Sequence, residues 1–123
     1  MKKLLANVVL GMSVFASHMA WGHGEVAARH GGVVAKAADL SFELVPQADG
    51  ALLYLSDHGK PLAIGGMSGK LTVLNGSDKS EVELKPAGDR FEAKGVKLGK
   101  GAKAVAAVTT AAKKTVTVRF IIK

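Results

Sequence analysis

Three histidines and one aspartate carry most of the chemistry this chain offers: His23, His30, His58 and Asp57. His30 opens the run His30-Gly31-Gly32, and Asp57-His58 opens the run Asp57-His58-Gly59-Lys60-Pro61. Were a leader removed after Gly22, His23 would become the first residue. Its α-amine and imidazole would then chelate a borderline cation such as Cu(II), with the Gly24 amide as a further ligand. Copper heads the affinity order for nitrogen sites. Three imidazoles, an amine and a carboxylate would fill a tetragonal copper site or a tetrahedral zinc site. No tight His-x-His or His-x3-His pair is present, so any such site must be assembled by the fold. Each group also has a plain structural reading. His30-Gly31 reads equally as an exposed linker. Asp57-His58-Gly59 reads equally as a turn in which the aspartate caps backbone N–H groups. Met67, in a Gly-rich loop, offers a thioether to Cu(I) or fills a gap in the core. Glu43 and Tyr54 fall on neighbouring predicted strands, facing the same side, and a cross-strand surface pair explains them.

The element that must position these groups is a predicted hairpin over residues 39–62. Leu40, Phe42 and Leu44 alternate with Ser41 and Glu43, the period of a strand. Pro46 to Gly50 is a run of turn residues, and Ala51 to Leu55 is a second, mostly apolar strand. Val33–Ala37 precedes the hairpin. Downstream, Lys70–Leu74 and Ser80–Lys85 form a second hairpin around Asn75-Gly76, a strong turn signal. Val82 and Leu84 face inward there, and Glu81, Glu83 and Lys85 face water. Pro61–Ser68 is a loop or irregular edge. Arg90–Lys94 is a short strand with Phe91 and Ala93 inside. Ala102–Thr109 reads as a buried strand, although its alanines also permit a helix. Lys114–Ile122 alternates most clearly, with Val116, Val118, Phe120 and Ile122 on one face. Seven to eight short strands with regular turns predict an all-β fold, an immunoglobulin-like antiparallel β-sandwich.

Composition bounds the rest. The 123 residues suit one domain, and 48% hydrophobic content suffices for a core. Aromatics are 5%, so that core must be mainly aliphatic. There is no cysteine, which removes disulfides, thiolate metal sites and thiol catalysis. Lys2 and Lys3 followed by the uncharged run Leu4–Ala16 and by Ala20 and Gly22 read as a signal peptide, too short for a membrane span. The alternative is a buried N-terminal helix. The resulting domain plan is a signal peptide over 1–22, a flexible His-containing arm over 23–31 and a β-sandwich over 32–123. The product would be periplasmic, with no stable membrane insertion after cleavage. Losing Lys2 and Lys3 lowers the formal net charge from +7 to +5. Lys94, Lys97, Lys100 and Lys103 recur every three residues, with Lys113 and Lys114 beyond. Without interleaved aromatics or a recognition helix, nucleic acid is not the expected partner. A solvated basic face is the bland reading, and contact with a polyanion or a membrane surface is the sharper one. Ser56, Asp57 and His58 are adjacent in sequence, but a nucleophile and its base must converge in space. No nucleophile elbow or phosphate-binding glycine loop is present, so an enzyme is not expected.

Three segments together resemble a known family. They are His30-Gly31-Gly32-Val33-Val34, Asp39–Val45, and Leu53-Tyr54-Leu55-Ser56-Asp57-His58-Gly59-Lys60-Pro61. They resemble the "HGG … ELV … YL.DH.G.P" segment in the N-terminal region of periplasmic adaptor subunits of heavy-metal efflux pumps. The same segment occurs in small periplasmic proteins of metal-resistance systems. The resemblance extends loosely through Lys70–Leu84 and Pro86-Ala87-Gly88. It implies an exported β-sandwich that handles copper, or less readily zinc or another divalent metal, with a heavy-metal efflux pump component as partner. By position it points to His30 and Asp57-His58; His23 rests on the cleavage argument alone. The chain lacks the helical hairpin, lipoyl-like and barrel segments of a full adaptor, and the Met clusters of a Cu(I) carrier. Two roles follow from this reading: sequestration or delivery of metal, or a metal-free module that docks on an envelope partner.

Overall fold

The computed structural model describes residues 27–123. The expected signal peptide, its cleavage site and His23 lie outside them. Nine strands follow in order: β1 (Val33–Ala37), β2 (Leu40–Gln47), β3 (Gly50–Asp57), β4 (Lys60–Pro61), β5 (Ser68–Asn75), β6 (Asp78–Ala87), β7 (Arg90–Lys94), β8 (Lys103–Thr109) and β9 (Thr115–Ile121). Among the described residues there is no helix. All pairing is antiparallel, in the order β1-β2-β3-β7-β6-β5-β8-β9, with the two-residue β4 attached to β3. The two ends of this order, β1 and β9, pack beside one another, so the sheet curls almost into a barrel. The long β6 changes partner midway. Asp78–Leu84 pairs with β5, and Lys85–Ala87 pairs with β7.

Strand periodicity decides what goes inside. Phe42 and Leu44 of β2, Leu53 and Leu55 of β3, Leu71 and Val73 of β5, Phe91 of β7, Ala104 and Ala106 of β8, and Val118 and Phe120 of β9 enter one continuous core. Phe42, Leu44, Leu53, Leu71, Val73 and Phe91 are fully buried. Each such side chain contributes about 1.5–3 kcal/mol relative to exposure. In β8 the alanines that also allowed a helix obey the strand period instead. Ala104, Ala106 and Val108 are buried while Val105 and Ala107 are half-buried, because β8 is paired on both edges, by β5 and β9.

Turn chemistry corrects the expected boundaries. The break expected at Pro46–Gly50 shrinks to Ala48-Asp49, since β2 continues through Pro46 to Gln47. Pairing of β1 with β2 stops at Leu44, so the missing N–H of Pro46 breaks no ladder bond on that side. In the second hairpin Asn75 is not a central turn residue. It pairs with Asp78, leaving Gly76-Ser77 as the two-residue loop. The Asn75 Nδ2 instead donates to the Lys97 carbonyl at 3.0 Å, tying that hairpin to the β7–β8 loop. Within the expected loop 61–68, Lys60-Pro61 pairs with the end of β3. Met67 is half-buried against the core, the gap-filling role.

Phe42 is central to this packing, so Phe42→Ala should cost about 3–5 kcal/mol. Urea unfolding followed by far-UV circular dichroism checks this; a loss under 1 kcal/mol would mean that the core lies elsewhere.

Candidate functional site

The side chains of interest stand on the outer face of β1-β2-β3. Val34, Glu43 and Tyr54 are directly opposite one another across these strands and share that face. An outer-face carboxylate would ordinarily meet water. Here residues 29–32 cross over it, and the Glu43 side chain is only 8% exposed. Ser41 is buried on the same face. The expected surface pair of Glu43 and Tyr54 is therefore corrected on one point: the two are neighbours, but the carboxylate is buried.

Burial of an ion is costly unless its lone pairs are filled. The chain fills them. Glu43 Oε1 accepts the Arg29 N–H at 3.0 Å and the His30 Nδ1–H at 3.0 Å. Its Oε2 accepts the N–H groups of His30 and Gly32, both at 2.8 Å. Burial by itself pushes the Glu43 carboxyl up. The hydrogen bonds from the Gly32 N–H, the His30 ring, the His30 N–H and the Arg29 N–H outweigh it and hold the group below the ordinary carboxylate range. The two glycines of the run now have a mechanical reason. Gly31 takes φ +78°, bending successive N–H groups toward one acceptor. At Gly32 a Cβ would collide with the Leu44 carbonyl.

The His30 ring lies flat on Tyr54, with centroids 3.6 Å apart and planes 3° from parallel. With Glu43 ionised, Nδ1 carries the proton. That tautomer leaves Nε2 with a free lone pair on a ring 40% exposed. The second imidazole has the same arrangement. The His58 Nδ1 meets the Asp57 Oδ1 at 2.6 Å, and the ring is 84% exposed. His58 and Gly59 are the central pair of the β3–β4 turn, with φ of +52° and +84°, and Asp57 and Lys60 close it. A histidine with positive φ is uncommon and costs free energy that glycine would not. The Arg29 guanidinium donates to the Gly59 carbonyl, fastening the chain ahead of His30 to the His58 turn.

The structure thus forms two carboxylate–imidazole pairs, His30 with Glu43 and His58 with Asp57, joined through Arg29. Among the described residues no group of three or more His, Cys, Asp or Glu side chains is close enough to share an ion. Beside the His30–Glu43 pair lies a cleft of about 150 Å³ lined by Arg29, His30, Ser41, Glu43, Tyr54 and Ser56 with apolar side chains such as Val34, Leu55 and Pro61; Asp57 and His58 do not line it. Organic ligand sites usually run to roughly 300–1,000 Å³, so this one suits an ion with its waters or a very small group. Ser56 and Asp57, being consecutive in β3, point to opposite faces, so Ser56-Asp57-His58 does not converge as a triad. Glu43 is the residue whose role the sequence did not reveal. Its signal was a lone carboxylate inside the apolar run Leu40–Val45.

Comparisons with family models, with curated proteins and with solved structures return no match to this chain.

Because Glu43 is held below its unfolded value, its contribution is fully present above the ordinary carboxylate range. It is lost as pH falls through the folded value. Glu43→Gln should cost about 1.5–3 kcal/mol near neutral pH. The gap to wild type should narrow as pH falls from neutral through the folded value. Denaturant unfolding across that acid range tests this, and a gap that widens in acid would refute the clamp.

Proposed function

We propose that this is an exported, periplasmic protein that binds copper, or another divalent heavy metal, at the rim carrying His30 and His58. Its role would be sequestration or delivery to an efflux system. One observation carries the reading: two imidazoles, each with Nδ1 held by a carboxylate, each keep Nε2 open. Metal-ligating histidines are oriented in this way, with the second nitrogen donated to a carboxylate. The Arg29 tie supports a common rim, and Asp57 is either a further ligand or the orienting partner it already is. The remaining donors are assigned to His23 and its amine, outside the described residues. The resemblance to efflux adaptor segments supports the pump component as recipient.

The finer architecture belongs to the same reading. The order β2-β3-β7-β6 matches the A-B-E-D sheet of an immunoglobulin-like sandwich and β5-β8-β9 matches C-F-G, with β6 passing between the layers. This order supports the sandwich. A second role for the same chain, a metal-free module docking on an envelope partner, would show as partner capture that persists in chelator.

Titration calorimetry of the protein beginning at His23 with Cu(II) and Zn(II) tests the metal. His30→Ala and His58→Asn should each weaken binding at least tenfold. Asn tolerates the positive φ at position 58, so that variant keeps its turn. Glu43→Gln should weaken binding about 10–100-fold through the orientation of His30. Identical heats for wild type and a His23/His30/His58→Ala variant would rule the proposal out.

A further inference from the structure

Five of the lysines that the sequence scatters, Lys79, Lys97, Lys100, Lys103 and Lys123, are gathered by the fold toward the end of the molecule opposite the His58 turn. Strand β3 runs between the two ends. Its Asp57 adjoins the His58 turn, whereas its Gly50 pairs with Lys94 and the neighbouring Asp49 carbonyl accepts the Gly95 N–H. The loop from Gly95 to Ala102 closes this second end. It is held by Asn75 on the Lys97 carbonyl, and by two bonds between the Gly101-Ala102 segment and Ile122. Lys97 and Lys100 are exposed on that loop, and Lys123 is exposed just past β9.

Register adds the outer face. Lys79, Leu74, Lys103 and Ile121 stand opposite one another across β6-β5-β8-β9, all on one side of the sheet. Lys79 and Lys103 are exposed, Leu74 is half-buried and Ile121 is 60% exposed, the one large hydrophobic side chain so exposed among the described residues. Asp49 and Asp78 are carboxylates at this end, and Glu81 stands one row in from Lys79 on the same face. Among the described residues none of the three forms an ion pair with these lysines, and Lys79, Lys97, Lys100, Lys103 and Lys123 have no ion-pair partner. Like charges gathered at one end repel one another and cost stability, unless an anionic partner meets them.

We infer that this lysine end docks the protein on an anionic lipid surface. Two features select lipid over nucleic acid. Lys103 stands directly across from an exposed aliphatic side chain, Ile121, which gains by entering the acyl boundary. Among the described residues no exposed aromatic ring stands on these strands or the Gly95–Ala102 loop for a base to stack on. Lysine ammonium groups attract anionic headgroups within a Debye length, about 8 Å at physiological salt. Docked by this end, the molecule holds the His58 turn away from the membrane. The inference is independent of whether His30 and His58 bind metal.

Sedimentation with phosphatidylcholine vesicles, with and without phosphatidylglycerol, tests it on the protein beginning at His23. Binding should require phosphatidylglycerol and fade with added salt. Lys97→Gln/Lys100→Gln/Lys103→Gln should lower it at least tenfold. Lys60→Gln/Lys113→Gln/Lys114→Gln, which removes equal charge from other turns, should change it less than twofold. Ile121→Ser should weaken the binding that remains at high salt, and circular dichroism confirms that each variant is folded. Absence of sedimentation, or equal loss in the two lysine variants, would overturn the inference. So would binding to single-stranded DNA or heparin without binding to vesicles.

Discussion

One buried carboxylate organises the histidine side of this protein. Glu43 sits on the outside of a β-sheet, where water should have solvated it, yet the chain ahead of β1 covers it. That is affordable only because four donors converge on its two oxygens: three backbone N–H groups and one imidazole. The same four bonds do two jobs. They give a polar segment, with little apolar surface of its own, a fixed course over the sheet. They also fix the tautomer of His30 and press its ring against Tyr54. Structure and chemistry at this site therefore have a single origin.

The β3–β4 turn shows a related economy of parts. His58 occupies a backbone conformation that glycine or asparagine adopts more easily. Its ring is held by the preceding aspartate, and the following carbonyl receives Arg29. A turn that needed only to reverse the chain would be better served by Asn-Gly. Ala38, Asp39 and Lys113 take positive φ in other turns of the same chain, so this strain is not particular to the imidazole. The two ends of the molecule then divide the polar work. One carries the His58 turn, the other ammonium groups that form no ion pair among the described residues.

Most of the fold was legible in the sequence. Val33–Ala37 and Arg90–Lys94 were read at their observed bounds, and the alternation in residues 114–122 named the inward side chains of β9. These are local signals, because a strand that buries one face must alternate. The boundaries that moved did so for tertiary reasons. β2 runs on through Pro46 because β1 has already ended beside it, a fact about a neighbour that no local window contains. Asn75 pairs with Asp78 at the end of the ladder, and its side chain meets a carbonyl in a loop 22 residues away.

The sequence by itself determined the strand period, the aliphatic core, the absence of thiol chemistry and the short inventory of imidazoles. All of these follow from residue type and spacing. It could not determine which side chains meet. The burial of Glu43 depends on a segment 11 to 14 residues earlier folding back across β2 and β3. The clustering of Lys79, Lys97, Lys100, Lys103 and Lys123 depends on the register between β5 and β8, strands that are not neighbours in the chain. Contacts of this kind are decided by where the sheet curls, and curvature is a property of the assembled strands rather than of any one of them.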